Sequence, residues 1–201
     1  KDLVDILENF LAEREDGGKP SDAECKSFLV DMTHNREYET LSISKTAEHT
    51  RAFLKVQDGC NQFCTYCIIP YIRGNYRSVP MEDLIGQAKE LVANGAKELI
   101  LVAQETTLYG IDLYGEKSLH KLLDELNKIN GLFWIRIMYC YPEEIYEGLI
   151  DAMIRNQKVC HYLDIPIQHA NDTILKRMGR RTSNADLVKL SLINISEPTR
   201  L

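Results

Sequence analysis

Cys60, Cys64 and Cys67 stand at C-x-x-x-C-x-x-C spacing within Gly59-Cys60-Asn61-Gln62-Phe63-Cys64-Thr65-Tyr66-Cys67. Three thiolates this close on one loop can reach a common metal centre. A structural zinc site normally takes four ligands, often as two C-x-x-C pairs. There is no second pair in the sequence, and His34 and His49 lie upstream at no recognised spacing. Three protein ligands on a four-iron, four-sulfur cluster leave one iron open. An open iron is a binding site as well as an electron store. The competing readings are a non-catalytic zinc or iron–sulfur module and three unliganded core thiols.

The elements that must position this loop follow in a regular order. Phe53-Leu54-Lys55-Val56 reads as a short strand running into Gly59. Met81, Leu84, Ile85, Ala88, Leu91 and Val92 form a helical stripe, with Pro80 suiting its first turn and Asn94-Gly95 its C-terminal end. Residues 99–103 are a continuous apolar run, the pattern of a strand covered on both faces. Leu119, Leu122, Leu123, Leu126 and Ile129 make a second stripe, ended by Asn130-Gly131. A strand is expected over 133–138, a helix on Ile145, Leu149, Ile150 and Met153, a strand over 162–167 and a helix opening at Ile174, Leu175 and Met178. Upstream, Leu3, Val4, Leu7, Phe10 and Leu11 have helical spacing until Gly17-Gly18-Lys19-Pro20, and a strand is expected over 28–32.

Strands separated by helices of this length cannot pair as hairpins, so they form a parallel sheet with right-handed crossovers. Sites in such folds lie at the C-terminal ends of the strands. Those ends carry Gly59-Cys60, Gln104-Glu105-Thr106-Thr107, Tyr139-Cys140-Tyr141 and Gln168-His169. Wet loops account for the polarity of strand ends, but not for three cysteines at the first of them.

A net charge of −6 argues against a general nucleic-acid coat. Lys176, Arg177, Arg180 and Arg181 form one local basic cluster, read either as a solvated helix face or as a ligand or substrate contact. No stretch approaches the roughly 20 apolar residues that span a bilayer. The acidic start Lys1-Asp2-Leu3-Val4-Asp5 does not suit a signal peptide. A cytoplasmic location without membrane contact is expected. There the six cysteines are thiols or metal ligands rather than disulfides.

C-x-x-x-C-x-aromatic-C after a strand, with Tyr66 as the aromatic, is the signature of the radical S-adenosylmethionine (SAM) superfamily. The wider string Asp58-Gly59-Cys60-Asn61, Cys67-Ile68-Ile69-Pro70 and Arg73-Gly74-Asn75-Tyr76-Arg77-Ser78 resembles its methylthiotransferase branch, and the likeness runs from Thr50 to Leu187. The resemblance implies an α/β fold, an incomplete (β/α)6 partial barrel of parallel strands. It implies a 4Fe–4S cluster on Cys60, Cys64 and Cys67 whose fourth iron chelates SAM. One-electron cleavage then releases a 5′-deoxyadenosyl radical. A second 4Fe–4S cluster is expected in an N-terminal domain, and a reducing electron donor is required.

The strand ends help to place the chain within the branch. Ala103-Gln104-Glu105-Thr106-Thr107-Leu108-Tyr109-Gly110, Tyr139-Cys140-Tyr141-Pro142 and Tyr162-Leu163-Asp164-Ile165-Pro166-Ile167-Gln168-His169 resemble the members that methylthiolate an aspartate β-carbon of small-subunit ribosomal protein S-twelve (uS12). Members that modify tRNA adenosines are the alternative. Glu105 departs from that pattern, which has Asp. Tyr66, Gln104 and Gln168 are the candidate cofactor contacts. The two glutamines read equally as strand-end caps, and His169 reads as a substrate contact or a loop filler. Cys140 and Cys160 are expected to be core thiols. The expected organisation is residues 1–45 as the end of the N-terminal domain and 46–189 as a truncated radical SAM core of about four β/α units. Residues 190–201 resemble a translated adapter sequence, and no function is expected of them.

Overall fold

In the computed structural model, which describes residues 50–196, the chain runs through β1 (Arg51–Lys55), β2 (Gln57–Asp58), α1 (Ile69–Ile72), β3 (Arg77–Ser78), α2 (Met81–Ala93) and β4 (Glu98–Val102). It continues through α3 (Ile111–Tyr114), α4 (Leu119–Asn127), β5 (Trp134–Ile137), α5 (Glu147–Arg155), β6 (Val159–Leu163), α6 (Asp172–Arg177) and α7 (Asn184–Ser196), with 3₁₀ turns at Thr106–Leu108 and Pro142–Glu144. The expected helix and strand upstream of residue 50 lie outside the described residues.

β1, β4, β5 and β6 form one parallel sheet in that order. Each strand is laid beside its predecessor in sequence, so the sheet winds in one direction, as a barrel does, and has no switch point. The register places Ala52 beside Leu99 and Leu99 beside Ile135, and one layer up Leu54 beside Leu101 and Leu101 beside Ile137. All six are essentially inaccessible to solvent and pack in one core with Leu84, Ala88, Leu119, Leu122, Leu126, Leu149 and Ala152 of the helices. The two-residue period of a strand sends the intervening side chains to the other face. There Phe53 and Trp134 are exposed, and Glu98 pairs with Arg51 at 3.1 Å and Arg136 at 2.7 Å.

The expected order of strands and helices between residues 53 and 178 holds. β4 is covered on both sides at Ile100, because Phe53 and Arg136 flank it in register, but Val102 is only half-buried. The last strand lies earlier than its apolar pattern suggests, over Val159–Leu163 rather than 162–167. Asp164 ends it by turning to the neighbouring loop, where its carbonyl accepts from Cys140 N–H at 2.8 Å and its carboxylate from Tyr139 N–H at 3.1 Å. The ribbon of β2 and β3 is too short to leave a period in the sequence. α7 continues from the core into the stretch after residue 190.

The core is tightly constrained around α4. Leu122→Ala removes a side chain with no exposed surface, and we expect it to cost about 2–5 kcal/mol, read as a lowered urea midpoint with little change in slope.

Candidate functional site

Gly59 turns the chain from β2 into the cysteine loop at φ +79°, and a Cβ there would lie 2.2 Å from the carbonyl oxygen of Asn75. Only glycine meets both demands. The segment that returns from α1 closes the loop. Cys60 N–H donates to Gly74 O at 3.2 Å, and β2 pairs antiparallel with β3, Gln57 opposite Ser78 and Asp58 opposite Arg77. The buried Arg77 donates to the carbonyls of Arg73 and Asn75 at 3.0 and 2.9 Å and meets Asp58 at 3.4 Å. The two motif halves, Asp58–Asn61 and Arg73–Ser78, are thus one clamp at the base of the loop.

Hydrogen bonds then join successive strand ends. Gln57 Nε2 donates to Glu105 O at 3.1 Å. Thr106 donates from its N–H to Tyr139 O at 3.1 Å and from its hydroxyl to Met138 O at 2.6 Å. Tyr139 and Cys140 donate to Asp164, as above. The result is a cavity of about 400 Å³ lined by Lys55, Cys60, Cys67, Val102, Gln104 and Tyr141 among others, a size usual for small-molecule sites. Gln104 Oε1 is buried at this mouth and has no hydrogen-bond partner among the described residues.

The other sequence candidates are placed less centrally. Tyr66 is half exposed and does not line the cavity; burial of its hydroxyl and the neighbouring Cys64 raise its pKa, and Arg180 beside it opposes the rise. Gln168, at φ +63°, is exposed beyond β6 and is not among the lining residues. His169 is exposed, and its Nδ1 accepts from Asn171 N–H at 2.9 Å, a loop contact. Cys140 is a core thiol with no exposed surface, whereas Cys160 is only half-buried on β6.

The three loop cysteines are free thiols, Cys60 and Cys64 buried and Cys67 half-buried. Burial pushes the Cys60 thiol up to about 11, and Glu105, Cys64 and Cys67 add to the rise, so a metal centre must displace a firmly held proton there. Among the described residues no three His, Cys, Asp or Glu side chains converge closely enough for a single metal ion. Three cysteine donors on one loop match the three-cysteine ligation of a four-iron cluster, whereas a structural zinc site takes four ligands.

Two residues carry more than their sequence context suggests. Glu105 is buried; one carboxyl oxygen accepts from Thr107 N–H at 2.9 Å and from its hydroxyl, while Oε2 has no partner among the described residues. Burial outweighs those hydrogen bonds and lifts its carboxyl to about 8. Arg180 belongs to a basic cluster in the sequence, but only Lys176, Arg177 and Arg181 are exposed. Its own side chain is wholly buried. Gly179 just before it, at φ +74°, is the one sequence signal that the chain turns inward there.

The family profile described as "Radical SAM superfamily" matches residues 54–192, more than half of the chain. "Ribosomal protein uS12 methylthiotransferase RimO" of Lachnoclostridium phytofermentans is 59% identical over 160 residues, which cover 80% of this chain and 36% of that one. The protein of the same name from Clostridium kluyveri is 44% identical across 97% of this chain and 41% of its own. The chain therefore spans little more than a third of the length of these curated relatives. Among solved structures, the radical S-adenosylmethionine methyltransferase TsrM from Kitasatospora setae superposes with a TM-score of 0.58 at 17% identity, over 74% of this chain and 29% of that one. That likeness shows a shared fold.

Glu105 makes the stability of the metal-free chain pH-dependent. The folded chain holds this proton up to about 8, whereas the unfolded chain releases it near the ordinary carboxyl value. Its contribution is therefore full below about pH 4 and falls as pH rises towards and through about 8, by at most about 1.4 kcal/mol per pH unit. In urea denaturation across this window, Glu105→Gln should flatten the decline and be relatively most stable at the alkaline end.

Proposed function

The chain belongs to the radical SAM superfamily, and on that premise we propose that it supplies the radical-generating core of a methylthiotransferase acting on an aspartate of ribosomal protein uS12. The observation that carries this reading is the delivery of Cys60, Cys67 and Gln104 to one cavity at the C-terminal mouth of a singly wound parallel sheet. The substrate is supported by the names of the relatives at 59% and 44% identity and by the resemblance of the three strand-end segments to the uS12-modifying branch.

In this reading Cys60, Cys64 and Cys67 hold a 4Fe–4S cluster and leave one iron to SAM. When bound, the pair supplies one-electron chemistry that ends in hydrogen abstraction from an unactivated carbon. The chain's own residues prepare the place for it. The Gly59 turn and the Arg77 clamp hold the loop at the cavity's edge. Lys55, kept in place by Asp58 at 3.2 Å, puts positive charge on the wall where a carboxylate can lie. Gln104 offers an unused acceptor to an ammonium or amide donor. Ile69, Val102 and Ala103 supply apolar wall that excludes water. Tyr66 acts through its backbone beside the adenine, since its ring stands outside the cavity. Gln168 lies beyond β6 and outside the cavity lining, so it would touch the cofactor only where the bound group extends past that strand end. A reducing electron donor and a second cluster, in the part of the relatives that this chain does not span, complete the reaction. No helix among the described residues is long and apolar enough to cross a membrane.

Cells lacking the full-length gene decide the substrate. Mass spectrometry of uS12 should show the methylthio group absent, and an unchanged modification overturns the assignment. Nucleoside analysis of tRNA from the same cells tests the rival, which alone predicts a missing methylthioadenosine. Cluster assembly is read separately. After anaerobic reconstitution with iron and sulfide, Cys60→Ala, Cys64→Ala and Cys67→Ala should each reduce bound iron to background while Cys140→Ala retains it. Tight zinc binding with no spectral response to SAM would favour the structural module.

A further inference from the structure

Arg180 is a buried charge that the reading above leaves unused. It follows the end of α6, where the chain folds back onto the cysteine loop. Thr65 N–H donates to Met178 O at 3.1 Å and the Thr65 hydroxyl to Arg177 O at 3.2 Å. A Cβ on Gly179 would sit 3.5 Å from Phe63 O and 3.7 Å from Cys64 Cα, so the two segments are in contact. The guanidinium lies 3.9 Å from the centroid of the Tyr141 ring. Its Nη2 donates to Glu143 at 3.2 Å and Pro166 O at 3.1 Å. Its Nε and Nη1 are buried with no hydrogen-bond partner among the described residues. Tyr141 in turn places its hydroxyl 2.9 Å from Cys64 Sγ.

A metal-bound cysteine sulfur is a thiolate, which accepts hydrogen bonds and cannot donate them. The hydroxyl of Tyr141 is then the donor. A cation against the ring face draws on its electron density and strengthens that donor. Buried N–H groups without acceptors are costly, and a negatively charged group beside Cys64 is what two unpaired guanidinium N–H groups would answer. A simple strut between α6 and the loop would need neither the stacked ring nor the sulfur contact.

We propose that Tyr141 and Arg180 are positioning residues for the cluster: they donate to and electrostatically favour its Cys64 corner, making the cluster easier to reduce and slower to be lost. This rests on the reading of Cys64 as a ligand. Reduction adds one electron from an external low-potential donor to the cluster. The positive charge and the donated hydrogen bond favour the more negative product. Hydrogen bonds to the sulfurs are among the determinants of such potentials.

The test uses the whole chain, reconstituted anaerobically with iron and sulfide and titrated with dithionite while the paramagnetic signal of the reduced cluster is followed. Tyr141→Phe deletes one oxygen and keeps the ring beneath Arg180. We expect a wild-type circular dichroism spectrum and wild-type iron loading. The reduction equilibrium constant should fall about tenfold, equivalent to about 59 mV for a one-electron couple, and iron loss to a chelator should be roughly tenfold faster. Arg180→Met should lower the constant further, and Arg180→Lys should restore part of it through charge alone. Wild-type potential and wild-type iron loss in Tyr141→Phe overturn the proposal, and that variant decides alone if Arg180→Met fails to fold. Cys64→Ala is the control. A wild-type cluster there overturns the ligand reading and the proposal together. A lost cluster with an unchanged Tyr141→Phe potential overturns the proposal only.

Discussion

The level at which four loops leave the sheet depends on a line of hydrogen bonds that runs from the buried Gln57 to Asp164 at its exposed end. A parallel ladder sets the spacing of strands, but it does not decide how their C-terminal loops depart. Here each departure is tied to the next: Gln57 to Glu105, Thr106 to Tyr139 and Met138, and Tyr139 and Cys140 to Asp164. In a low-dielectric interior, an amide or hydroxyl that loses its partner costs far more than the bond contributes in water. That cost falls mainly on the buried joint between Gln57 and Glu105, since the Tyr139–Asp164 end is open to solvent. Gln57 is the joint of greatest consequence. It is fully buried, and its amide also accepts from Ser78 Oγ at 3.2 Å, so the base of the cysteine loop and the mouth of β4 form one unit.

Charge around that unit is distributed to suit a negative guest. Asp58 is held by Lys55, Arg73 and Arg77 and so adds little net negative charge at the loop's base. Burial keeps the Glu105 carboxyl protonated at neutral pH, which removes a charge that would oppose thiolates nearby. Arg180 adds a wholly buried positive charge on the far side of Cys64. Cys60, Cys64 and Cys67, once deprotonated, would repel one another without a cationic centre. The surroundings temper that repulsion from three directions.

The protein's outer architecture is simpler. α2, α4 and α5 cover one face of the sheet with leucines and alanines that have no exposed surface, while the opposite face keeps Phe53, Trp134 and Tyr162 open. In a sheet that winds in one direction, that second face is the concave one. Its ion pairs at Glu98 and the stacking of Arg136 on Tyr162 at 5.3 Å give it order without a covering layer among the described residues.

The amino-acid sequence by itself determined the cysteine spacing, the alternation of strands with helices and the strand ends as the place of the candidate site. Each rests on local rules: ligand spacing on one loop, a period of 3.6 or two residues, and punctuation by proline and glycine. Apolar pattern misplaced β6, because Ile165 and Ile167 belong to a loop that Asp164 pulls towards β5. The short ribbon of β2 and β3 has no period to read. Only the tertiary structure decided which polar residues meet. It brought Gln104 to the cavity and left Gln168 beyond it. It buried Glu105 until its carboxyl holds a proton, and it separated Arg180 from three solvated basic neighbours to set it on Tyr141. Such outcomes depend on contacts between segments as far apart as Cys64 and Tyr141. Burial and pairing across those distances are properties of the packed chain and leave no mark on the spacing of residues along it.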